Sequence, residues 1–104
     1  MRVLSEPITF DWDKGNIEKN LVKHNVTNKE AEEVFSNEPS FIFKDETHSV
    51  SEKRYMIWGT TRVGRKLSIV FIIRAKKVRV ISARDLHAKE RREYEKKIKT
   101  DTEV

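Results

Sequence analysis

The 104-residue sequence predicts an α+β fold: two N-terminal helices, a mostly antiparallel sheet of four to five strands, and a C-terminal helix. Three observations carry that expectation. Before Pro39 the apolar residues recur at helical spacings of three and four. Between Pro39 and Ser82 they alternate or run together in short segments divided by turn residues. After Leu86 a heavily charged, helix-like run closes the chain.

The elements follow in order. Ile8 to Phe10 reads as a short first strand. Asp13 is placed to cap a helix whose Ile17, Leu21 and His24 share one face, which is expected to meet the core. Asn25 tolerates the left-handed conformation that ends such a helix. Thr27-Asn28-Lys29-Glu30 matches a capping box and opens a second helix that buries Ala31, Val34 and Phe35; Asn37 to Pro39 ends it. Phe41 and Phe43 alternate with Ser40, Ile42 and Lys44 in a strand, and Asp45 to Glu52 form a polar loop. Arg54 to Trp58 is the next strand, and Thr60 to Lys66, with Gly64, a hairpin loop. Leu67 to Arg74 is apolar on both faces and so belongs in the middle of the sheet. Ala75-Lys76-Lys77 turns the chain into a last strand, Val78 to Ser82, and Leu86 to Lys99 is the closing helix. No repeat, low-complexity tract or Pro/Gly-rich linker divides residues 1–104, so one domain is expected.

Composition narrows the chemistry. There is no cysteine, which excludes a disulfide framework, a thiolate zinc site and a thiol nucleophile. The N-terminus has no long apolar stretch, and the longest apolar run is too short for a bilayer, so a soluble cytoplasmic protein without membrane contact is expected. The net charge of +5 is unevenly spread. Residues 1–52 hold 6 Lys/Arg against 11 Asp/Glu, a net −5, and residues 53–104 hold 16 against 6, a net +10. A cationic side of that strength suits a polyanion.

The candidate chemistry gathers at two places. Along the last strand Val78, Val80, Ser82 and Arg84 alternate onto one side, with Arg79, Ile81 and Ala83 on the other. Arg84 then emerges where strand gives way to helix, held by the scaffold yet able to reach solvent. Lys23 and His24 end the first helix. One reading makes them a core edge and a dipole-favoured cation; the other makes them a proton-transfer group beside a phosphate-neutralising charge. Lys89, Arg92, Lys96 and Lys97 read as a solvated face, and Arg91 pairs four residues on with Glu95. Tyr55 and Trp58 fall on opposite faces of one strand, so one of them is expected outward. His87 and Glu90 stand one turn apart, but no third ligand accompanies them, so no metal is expected. No glycine pattern for cradling phosphates occurs, and no cofactor is expected.

F-D-W-D (10–13), N-L-V-K-H-N-V (20–26), A-E-E-V-F (31–35), K-R-Y-M-I-W-G (53–59), V-I-S-A-R (80–84) and K-E-R-R-E-Y-E (89–95) together resemble the BrnT family, toxins of type II toxin–antitoxin pairs. The family pattern has glycine where Asn25 stands. It has Thr or Ser where His87 stands, so Asp85 is expected to cap the last helix instead. The resemblance implies a RelE-like ribonuclease fold and metal-independent endonucleolytic cleavage of RNA. It also implies a cognate BrnA-like antitoxin of the ribbon–helix–helix type, with operator DNA bound only through the complex. In such a reaction Arg84 is the candidate for the phosphate, with Arg54 and Arg65 as additional candidates from the sheet and its hairpin. His24 is the candidate acid or base assisted by Lys23, and Glu90 and Tyr94 are alternatives; Arg65, Arg79 and Arg91 are candidate RNA contacts. A non-catalytic RNA-binding module and a protein-interaction subunit are the rival readings.

Overall fold

The computed structural model describes residue 4, residues 7–45 and residues 52–102. Two helices, α1 (Lys19–His24) and α2 (Asn28–Ser36), precede four strands, β1 (Phe41–Asp45), β2 (Arg54–Thr60), β3 (Lys66–Arg74) and β4 (Lys77–Asp85), and α3 (Ala88–Thr102) closes the chain. The strands form one antiparallel meander in the order β1-β2-β3-β4. This is the expected α+β architecture with four strands. The segment expected as a further strand contributes a single parallel bridge, Phe10 to Val78. Most of the expected polar loop, residues 46–51, lies outside the described residues.

One face of the sheet carries the main core. Thr27 and Glu30 complete both halves of the capping box, the Glu30 N–H donating to the Thr27 hydroxyl at 3.0 Å and the Thr27 N–H to the Glu30 carboxylate at 2.9 Å. That fixes α2 with Ala31, Val34 and Phe35 against Ile57, Leu67, Ile69, Phe71, Val78 and Val80. Gly59 permits the close approach: a Cβ there would lie 2.7 Å from Val34 Cγ1. Tyr55 joins this face, stacked on Phe71 at 5.6 Å, while Trp58 lies on the other against Phe43 at 4.9 Å. Both rings are packed, so neither stands outward.

The second face is covered at its β1 end by α3. Tyr94 is fully buried there, edge-on to Phe41 at 5.8 Å, and Lys97 lies 5.2 Å over the Phe43 ring.

Three local expectations are corrected. Asp13 opens a turn rather than the helix itself. Its carboxylate accepts from the Gly15 N–H at 2.8 Å and its carbonyl from Ile17 at 2.8 Å, while regular helix begins at Lys19. Nor do Ile17 and Leu21 face the core: they are 44% and 46% exposed, and Asn16 and Asn20 are buried in their place. The reason is what lies beneath. α1 meets the outer edge of β4, which presents polar backbone groups. The Asn16 amide donates to the Val80 carbonyl at 3.1 Å, and Asn20 Oδ1 accepts the Ala83 N–H at 2.9 Å. An apolar face would have left those groups unsatisfied. Asn25 ends α1 as expected, at φ 55° and ψ 38°.

The third correction concerns β4. The pairing with β3 slips between Val70 and Phe71, which face Ser82 and Val80, leaving Ile81 as the extra residue of a bulge. Strict alternation therefore fails. Val78, Val80 and Ala83 share the core face, whereas Ser82 and Arg84 lie on the other. The strand also runs on to Asp85, so Arg84 is held within its last turn of pleat rather than at a break.

Candidate active site

The C-terminal turn of α1, the end of β4 and the start of α3 meet in a groove of about 620 Å³, lined by Lys23, His24, Arg84, Asp85 and His87 among others. The left-handed Asn25 produces this meeting. It turns the chain so that Val26 enters the core while the carbonyls of His24 and Asn25 remain outside. Arg65 binds them, Nη1 donating to the Asn25 carbonyl at 2.8 Å and Nη2 to that of His24 at 3.3 Å. The same guanidinium donates to both oxygens of Asp85, at 2.7 and 3.0 Å, and to Glu30 at 3.1 Å. Asp85 therefore does not cap α3, as the sequence suggests; it anchors Arg65. Those hydrogen bonds hold the Asp85 carboxyl below its usual range, and the two carboxylates raise Arg65 further above its own.

Arg84 stands at the centre. Glu90 meets its guanidinium end-on, Nη1 to Oε1 at 2.7 Å and Nη2 to Oε2 at 3.0 Å, and the second Nη1 hydrogen donates to the Asp85 carbonyl at 3.1 Å. Of five guanidinium hydrogens, Nε–H and one Nη2–H have no partner among the described residues. These two lie on one edge of the fork, the geometry that receives two oxygens of a phosphate. Glu90 also accepts the His87 N–H at 2.8 Å, closing half a capping box on α3. Arg84 is the main cause that lowers the Glu90 carboxyl below its usual range, which makes it a weak proton acceptor near neutrality.

The expected site residues therefore separate. Lys23, His24 and Arg84 line one groove and Glu90 is tied to it through Arg84, the first two exposed and Arg84 and Glu90 partly so. Arg54 lies across the second sheet face in a cleft that also contains Arg84. Arg91 is exposed on the first turn of α3. Tyr94 is not at the groove surface: its hydroxyl donates to the Pro39 carbonyl at 2.6 Å and lies 2.7 Å from the Thr60 hydroxyl, inside the packing of α3. Arg65 is occupied as a clamp, and Arg79 is paired with Asp13 at 2.9 Å and Asp11 at 3.5 Å, its side chain 13% exposed. His87 is the groove residue that sequence reasoning weighed as a metal ligand and passed over as the helix cap in favour of Asp85. The signal was present in its position three residues before Glu90, which makes it the N-cap of α3.

Among the described residues no helix is long and apolar enough to cross a membrane. No curated protein matches the chain. Residues 12–90, well over half the sequence, match a family model described as the ribonuclease toxin BrnT of type II toxin–antitoxin systems, and they span every residue of the groove. The chain belongs to the BrnT family of ribonuclease toxins.

Proposed function

We propose that this toxin cleaves RNA without a metal ion, at a phosphate seated between Arg84 and His24. The observation that carries the reading is the Nε–Nη2 edge of Arg84, without a partner among the described residues, on a side chain that shares a groove with Lys23 and His24. A neighbouring 2′-hydroxyl attacks the phosphorus, forming a P–O2′ bond as the P–O5′ bond breaks. The products are a 2′,3′-cyclic phosphate and a 5′-hydroxyl end. Arg84 meets the non-bridging oxygens, where charge develops in the transition state. Lys23 adds positive charge at the mouth of the groove. The O2′ proton is taken by one imidazole and a proton is given to the leaving O5′ by another, so that none is lost overall; His24 serves one of these transfers, with His87 the second imidazole within the same walls. Glu90 holds the plane of Arg84 and takes no proton itself. Arg54 and Arg91 flank the path of the strand, where phosphate contacts position rather than specify.

The antitoxin implied by the type II family is, in this reading, a ribbon–helix–helix protein that covers the groove and carries the complex to operator DNA in the cytoplasm. The test is incubation of the purified chain with labelled RNA in EDTA, beside Arg84→Ala and His24→Ala variants checked by circular dichroism. Fragments with cyclic phosphate ends from the wild type alone are expected. Full cleavage by a folded Arg84→Ala variant would remove Arg84 from the site, and intact RNA throughout would favour a binding module.

A further inference from the structure

Arg84 borders a second cleft, of about 400 Å³, on the part of the second sheet face that α3 leaves uncovered. Its floor is Met56, Val70 and Ile81, and its rim is Asp45, Arg54, Ser82 and Arg84. The register explains the floor. Met56 faces Val70 across β2 and β3, Val70 faces Ser82 across β3 and β4, and the bulge turns Ile81 onto the same side. The three apolar side chains are half-buried, covered from below by the sheet and open above. α3 keeps to the β1 end, over Phe41 and Phe43.

We propose that this cleft seats the nucleobase of the nucleotide whose phosphate Arg84 holds. The inference rests on the ribonuclease reading of Arg84 and adds a base site to it. Arg84 belongs to both clefts, so a ligand with an anion on its open edge must carry its next group either into the polar groove or onto the apolar floor. A nucleotide joins the two chemistries in one unit: a phosphate, and a flat ring whose faces are apolar and whose edge is polar. The ring lies on Met56, Val70 and Ile81, and its edge reaches the Ser82 hydroxyl. Two arginines against the one carboxylate of Asp45 leave the rim net positive, with Arg84 the cation nearest the sugar–phosphate chain that crosses it.

The full chain is titrated with a nucleoside 3′-monophosphate, with ribose phosphate lacking a base, and with inorganic phosphate. Methyl resonances of Met56, Val70 and Ile81 and the Nε–H resonance of Arg84 are followed. All three ligands are expected to shift Arg84, but only the nucleotide to shift the floor methyls, binding about tenfold more tightly than ribose phosphate. Ile81→Ala and Val70→Ala are expected to remove most of that advantage and leave inorganic phosphate affinity unchanged. Equal binding of nucleotide and ribose phosphate, with silent methyls and a shifted Arg84, would overturn the base site and leave the ribonuclease reading standing. A silent Arg84 with all three ligands would overturn the phosphate seat and the base site together.

Discussion

Arg65 holds Asp85 through two donors of one guanidinium, Nε to Oδ1 at 2.7 Å and Nη2 to Oδ2 at 3.0 Å. The two residues lie 20 positions apart, and the same guanidinium reaches the carbonyls of His24 and Asn25 and the carboxylate of Glu30. The clamp thus ties the end of α1 and the start of α2 to the end of β4, beside Arg84. Arg65→Ala is expected to lower stability by about 1–3 kcal/mol, discounted for the solvent that reaches the pairs, and to loosen His24 relative to Arg84. Thermal melts measure the first effect. A folded variant with wild-type melting and wild-type cleavage would show that the clamp positions nothing. Lys at this position restores the charge but cannot reproduce the fork, so only part of the loss is expected to return.

Glu90→Gln separates binding from chemistry. The amide carbonyl can still accept the His87 N–H, but the end-on carboxylate pair with Arg84 is lost. The groove gains one net positive charge, so RNA is expected to bind more tightly at low salt, while Arg84 becomes free to rotate and kcat falls about tenfold. Single-turnover kinetics with a parallel binding assay check the split. A drop in binding with kcat unchanged would contradict it.

Acid is expected to unfold the protein through four carboxylates. Hydrogen bonding from Arg79 lowers Asp13, from Arg65 lowers Asp85, and from Arg84 lowers Glu90. Glu30 is lowered too: partial burial pushes it up, and the hydrogen bonds from Thr27 and Arg65 outweigh that. Each folded group releases its proton at a lower pH than in the unfolded chain, whose ordinary values are 3.8 for Asp and 4.5 for Glu. Their stabilising contribution is complete above those values and is lost as pH falls through the folded ones. Melting temperature is expected to be level from pH 7 to about 5 and to fall below roughly pH 4.5. A melting temperature that rises on acidification would be incompatible with these pairs.

The hairpin between β3 and β4 offers a stabilising change. Ala75 and Lys76 both have positive φ, 53° and 66°, in a two-residue turn where glycine and asparagine fit better. Lys76→Gly is expected to add about 0.5–1 kcal/mol and raise the melting temperature by about 2–8 °C. Ala75→Val at the neighbouring position is expected to do the reverse.

How much was legible in the sequence depended on how local the cause was. The Thr27–Glu30 box and the left-handed Asn25 are decided within four residues, and both stand where the sequence puts them. Ile17 and Leu21 misled because periodicity assumes an apolar neighbour, and the neighbour of α1 is the polar edge of a strand 64 residues away. The face on which Arg84 stands depends on a bulge that exists only in the pairing of Val70 and Phe71 with Ser82 and Val80. The clamp role of Arg65 was not legible because an arginine in a hairpin loop carries no local sign of the three elements that claim it. Arg84 and His24 were found as residue types at element ends; their shared groove required the fold.

The two buried asparagines of the α1 region have a further consequence for how other chains can approach. A partner that binds by adding its own extended segment needs a row of unengaged amides and carbonyls to zip against. Along β4 the groups of Val78 are taken by Thr9 and Asp11, that of Val80 by Asn16 and that of Ala83 by Asn20. Strand invasion from that side would have to unseat two buried amides before it gained its first hydrogen bond. Any companion of this toxin that docks by strand addition is thereby directed to the opposite margin of the sheet, at β1, which pairs with β2 alone among the described strands.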